Sequence, residues 1–163
     1  MKSVTIQALA AFPAQLEAHY AEVPADFKQW APASWDGMPS EKLTAIEQLC
    51  HVRDIEILGY HVRLRRTLNE LDPSLESLDA DALARDGADA GQFADVVLSE
   101  FRDARAVTLS LLSRLSPDQF QRTASFDGYG RVSLQSLVHF LCSHDQQHLA
   151  GLQWLLGKIE AAR

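Results

Sequence analysis

The sequence predicts an all-α protein, a four-helix bundle with a long crossover between helices 2 and 3. Three observations carry this. Four stretches repeat apolar residues every three to four positions, the period of a helix face. Helix-start signals open two of them, and prolines follow three. Between the second and third stretch, residues 72–90 are acidic and rich in Asp and Ala, with too few large apolar groups to form a packed element.

The first helix is expected over residues 4–23, with Leu9, Phe12, Leu16, Tyr20 and Val23 on one face. Pro13 lies inside this pattern and predicts a kink or a later start. A loop follows, broken by prolines and a glycine and carrying Trp30 and Trp35. Tryptophans in such a loop either cap a core or line a pocket mouth, and capping is the commoner use.

Thr44 and Glu47 form a capping box that opens the second helix. It is expected to run to about Leu71, ahead of Pro73, with two apolar lines. One holds Ile46, Leu49, Ile57, Tyr60 and Leu64; the other holds Ile55, Leu58 and Val62, with His51 at its start. A helix apolar on two sides packs against more than one neighbour. The third helix, residues 92–115, carries Phe93, Val97, Ala104, Val107, Leu111 and Leu115, and Glu100 falls on the same line. Glu100 either reaches solvent at the edge of the stripe or serves as an outer partner of a histidine.

Ser116-Pro117 stops that helix. Residues 119–132 read as an extended or hairpin-like connection turning at Gly128 and Gly130, and Ser133 is a plausible N-cap for the last helix. That helix shows an apolar line of Leu134, Leu137, Leu141, Leu152, Leu155 and Ile159. His144 and His148 continue the line through its middle.

At 163 residues the chain suits one domain, residues 1–163, long enough to bury a sizeable core. A net charge of −7 argues against nucleic acid or an anionic membrane as the main partner. No apolar run is long enough to span a bilayer, and the N-terminal stretch lacks the apolar centre of a signal peptide. Cys50 and Cys142 make no disulfide framework and read as small apolar residues, so a reducing cytoplasm is the expected setting.

Two imidazoles four residues apart lie one above the other on a helix face and can share one ion. Neutral imidazole suits zinc, nickel or iron, and two ligands on one helix lower the entropy of assembling the site. A third ligand must come from another helix. His51 is the best placed, because it too extends an apolar line. His139, five before His144, is rotated well off that face, and His19 and His61 sit among surface-like residues. Hydrogen-bonded core histidines give the same pattern, and spacing alone leaves both readings open.

The run Leu43-Thr44-Ala45-Ile46-Glu47-Gln48-Leu49-Cys50-His51 resembles a signature of the DinB/YfiT-like superfamily. The segment from Leu137 through His139, His144 and His148 to Leu149 is similar to that family's histidine-rich C-terminal motif. The resemblance covers roughly residues 40–156, in order and separation. Leu43 stands where the family carries tryptophan, and Ala150 and Gly151 stand where it often carries glutamine. The resemblance implies an up-down-down-up bundle in which His51, His144 and His148 hold a divalent metal. It also implies frequent homodimers in a bacterial cytoplasm. The activities it implies are metal-dependent hydrolysis, or transfer or isomerisation with a low-molecular-weight thiol, on a small-molecule substrate.

Both chemistries need an open position on the ion, where water or a thiol is acidified. Hydrolysis also calls for a carboxylate as general base. Asp145 adjoins His144 but points about 100° away. Asp54, three residues after His51, and Glu100 are the better candidates. Asp54 equally suits an outer partner of an imidazole or a surface acid. A non-catalytic module stabilised by its metal or its histidines is the alternative to an enzyme.

Overall fold

The computed structural model describes residues 3–78 and 93–162. Its helices are α1 (Ser3–Glu22), α2 (Ala45–Asp54), α3 (His61–Asn69), α4 (Ala94–Ser113), the short α5 (Pro117–Phe120) and α6 (Leu134–Ala161). A π-helical segment, Ile55–Tyr60, joins α2 to α3, so these form the second long member of an up-down-down-up bundle. The first member α1 packs on α6 and α4, while α2 packs on the same two helices from the other side.

The start signals act as the residues suggest. Glu47 reaches back to the Thr44 N–H at 2.8 Å, and the Ser133 hydroxyl accepts the Ser136 N–H at 3.1 Å. Residues 119–132 include a hairpin, β2 (Thr123–Phe126) against β3 (Gly130–Ser133), with Gly128 and Gly130 at positive φ where glycine carries no Cβ penalty. A two-residue strand, β1 (Ser74–Leu75), adds parallel to β2. This small sheet closes one end of the bundle, and strand β1 is too short to leave a period in the sequence. Most of the acidic crossover of residues 72–90 lies outside the described residues.

Helix α1 passes through Pro13 unbroken and starts at Ser3, so no later start occurs. Proline has no N–H to give the carbonyl four residues back, here that of Leu9. That carbonyl instead accepts from Arg105 Nη1 at 3.0 Å. The side chain that mends the helix comes from α4, not from α1 itself.

The π segment explains where the expected apolar lines fail. A π turn adds a residue and rotates everything after it. Ile55 and Tyr60 are buried as expected, but Ile57, Leu58 and Val62 are exposed, so the second line does not continue into the core. On α4, Phe93 and Val107 are exposed as well, and the buried face is Val97, Leu98, Phe101, Ala104, Arg105, Thr108 and Leu112. The face is rotated because it admits an arginine, which an apolar pattern passes over. The loop tryptophans pack on the core, with Trp35 stacked on Trp154 at 6.1 Å between ring centres.

Candidate metal centre

His51 is carried by α2, and His144 and His148 by α6. Their Nε2 atoms converge: His144 stands 3.2 Å from His51 and 3.1 Å from His148. Ligating atoms of these three residues lie within 4.8 Å of one another. His51 and His148 are buried and His144 nearly so. Burial, with His148 beside it, pushes His51 down to about 4, against the opposing fields of Glu41 and Asp54. Burial and the two neighbouring rings hold His144 well below its ordinary value. Both are neutral at physiological pH, the state in which imidazole binds metal.

The tautomer of His148 follows from its surroundings. Gln48 Nε2 donates to the Leu43 carbonyl at 3.3 Å, which can only accept, and also reaches Ser40 Oγ at 3.1 Å. The Gln48 carbonyl oxygen is thereby turned toward His148 Nδ1, which must carry the proton. His148 Nε2 then presents a lone pair to the other two rings. A hydrogen bond that fixes the far nitrogen in this way is how metal-ligating imidazoles are held.

A carboxylate that the sequence reading did not single out faces the same point. Glu41 Oε2 is 3.2 Å from His148 Nε2, and Oε1 is 3.9 Å from His51 Nε2. The contact with His148 outweighs burial and holds the Glu41 carboxyl down, to about 2. With the His148 proton on Nδ1, Nε2 turns a lone pair toward this carboxylate, so either a second proton on His148 or a cation lies between them. His144 Nδ1, on the ring edge away from Nε2, is buried without a partner among the described residues. The donor set therefore fits a divalent ion of the zinc, nickel or iron type.

The two carboxylates expected near the ion sit differently. Asp54 accepts from Arg53 Nε at 2.9 Å, and Glu100, half-exposed, accepts from Arg53 Nη1 at 3.0 Å. Arg53 thus joins them to each other, and Asp54 bears on the imidazoles through its field at His51. An open groove of 430 Å³ runs beside this pair, lined by Arg53, Ile57, His61, Glu100 and Val107. The remaining histidines bond elsewhere: His19 to the Gln15 carbonyl, His61 to the Ala104 carbonyl and Thr108, His139 to Thr5.

Asp145 faces away from the imidazoles, as its helix angle requires, into a second buried polar cluster. Arg105 donates to Asp145 at 2.7 and 3.0 Å, to Glu56 at 3.1 and 3.0 Å, and to the Leu9 carbonyl. All five guanidinium N–H groups are used. Thr108 adds a hydroxyl donor to Glu56. Burial works against the Arg105 charge, but Asp145 and Glu56 raise its pKa above the ordinary arginine value.

The chain superposes on a solved structure described as "YfiT from Bacillus subtilis is a probable metal-dependent hydrolase with an unusual four-helix bundle topology". The TM-score is 0.84 at 19% identity, covering 98% of this chain and 90% of that one, a likeness of fold. No curated protein sequence matches the chain. The model of the DinB superfamily matches residues 8–152, and the chain belongs to that superfamily.

Proposed function

We propose that the protein is a metal-dependent hydrolase acting on a small molecule, with His51, His144 and His148 as its metal ligands. The observation that supports this is the convergence of three Nε2 atoms, one of them held lone-pair-inward by Gln48. A divalent ion bound there supplies Lewis acidity, lowering the pKa of water toward neutrality. The chain supplies the rest. Neutral imidazoles leave the ion its full charge, the buried pocket strengthens that field, and an acid lies against the same nitrogens.

Asp54 and Glu100 are assigned a positioning role in this reading. Asp54 favours the local field at His51, and Glu100 fixes the Arg53 guanidinium at the wall of the groove. A second reading, thiol-dependent transfer, rests on the arginine at the wall of this groove, which suits a charged thiol cofactor, although none of the three ligand histidines lines the groove. Arg53 is already bonded to two carboxylates, which makes it the weaker of the two.

Purification without a histidine tag, followed by metal analysis by mass spectrometry, tests the centre. Wild type is expected to carry stoichiometric divalent metal, and the double variant His144→Ala, His148→Ala to carry none. A metal-free wild type that cannot be reloaded tightly sinks the reading. Hydrolysis of activated esters or amides that disappears on chelation and returns with metal separates hydrolase from transferase.

A further inference from the structure

We propose that Glu41 is a fourth, displaceable protein ligand of the centre, so that the resting ion is screened by a loop carboxylate that an incoming anion or substrate must push aside. The proposal rests on the three-histidine reading and adds a regulator of access to it. The carboxylate of Glu41 straddles the nitrogens, with one oxygen on His148 and the other toward His51. Carboxylate oxygen and imidazole nitrogen form a donor set that zinc and its neighbours accept. The side chain is 44% exposed, unlike the buried histidines, so it can leave toward solvent without disturbing the core.

The loop bearing Glu41 is seated, not incidental. The Leu43 N–H bonds the Glu41 carbonyl at 2.8 Å, closing a three-residue turn that begins at Glu41. Ser40 Oγ receives a bond from Gln48, the same amide that orients His148. One side chain thus positions both the imidazole and the loop. Trp35, stacked on Trp154, ties the loop's start to α6, and Gly37, at φ 83°, turns the chain between them. The loop comes this close because position 151 lacks a side chain. A Cβ on Gly151 would stand 2.5 Å from Ser40 Oγ and 3.2 Å from Met38 Cε. Gly151 is where the sequence departs from the glutamine-bearing pattern, and the loop fills that space.

Cobalt(II) is the probe, read by its visible absorption and by competition with a chromogenic chelator. Glu41→Ala is expected to bind Co²⁺ at least tenfold more weakly than wild type, with a shifted spectrum that added acetate returns toward the wild-type form. Gly151→Ala keeps every ligand but crowds both Ser40 of the loop and the Gln48 amide, whose Nε2 would stand 3.1 Å from the new Cβ, and is expected to shift the spectrum in the same direction by less. Azide should bind the Co²⁺ form of Glu41→Ala more tightly than that of wild type. A Glu41→Ala protein that is folded by circular dichroism and matches wild type in affinity and spectrum overturns the proposal while leaving the histidine centre standing. If wild-type protein takes up no Co²⁺, or His148→Ala takes up as much, both readings fall together.

Discussion

Neighbouring residues on α6 serve two buried polar clusters of opposite character. Asp145 belongs to one in which every donor has an acceptor: five N–H groups of Arg105 meet two carboxylates and a backbone carbonyl. His144 belongs to the other, where ring nitrogens and a carboxylate face one another and, among the described residues, His144 Nδ1 has no partner. The first cluster is complete without any addition. The second leaves a proton or a cation to be added between its nitrogens and Glu41. Burial alone therefore does not mark a functional site; an imbalance of donors and acceptors does.

The largest effect expected from this contrast is on stability. Arg105→Ala strands Glu56 and Asp145 in the core and should cost about 3–5 kcal/mol in urea denaturation, or prevent folding. His144→Ala removes an unpartnered ring edge and should cost far less in the metal-free protein while abolishing metal binding. Equal losses for the two variants would erase the distinction.

Next comes pH. Because His51 and His144 have folded values below that of free histidine, the unfolded state binds more protons as pH falls. The contribution of these two rings to the metal-free protein should be full above about pH 6.5 and lost progressively toward pH 4, against an opposite trend from Asp145, which burial raises to about 7. For His51 alone the loss is on the order of 3 kcal/mol. A His51→Ala variant whose stability in urea falls as steeply as wild type between about pH 6.5 and 4 would show that this ring does not carry the loss.

A smaller effect separates the orienting amide from the ligands. Gln48→Leu should leave the bundle folded and lower metal affinity by about 10–100-fold, the usual cost of losing an outer hydrogen bond. Affinity unchanged by this substitution would mean that the tautomer of His148 is set elsewhere. The smallest effect belongs to the surface pair. Glu100→Gln should change stability by less than about 1 kcal/mol and leave metal content intact. Loss of metal in that variant would bring Glu100 into the centre itself.

The histidines were legible because each prolongs an apolar line, so a helix period places His51, His144 and His148 on inward faces. Glu41 obeys no period, since it lies in a loop, and only Gly151 across from it hints at close approach. Arg105 was hidden by the rule that charge means surface, although Phe101, Ala104, Thr108 and Leu112 mark its face. Glu56 was hidden by the π segment: five residues after His51, it would stand about 140° away in an unbroken α-helix. The same segment turned Leu58 and Val62 outward. The bundle's order of directions came from the family resemblance, because helix patterns alone do not orient helices.

Pro13 has a reach beyond its own helix. By withdrawing one N–H it frees the Leu9 carbonyl, and Arg105 then touches α1, the π segment and α6 from its place on α4. A single guanidinium thus acts as an index pin through all four members of the bundle. Sliding any member by one turn, about 5.4 Å, would pull a carboxylate or carbonyl off it. His144 adjoins one pinned residue and His51 lies five positions before another, so the heights of the imidazoles are indexed by a contact that never touches the ion.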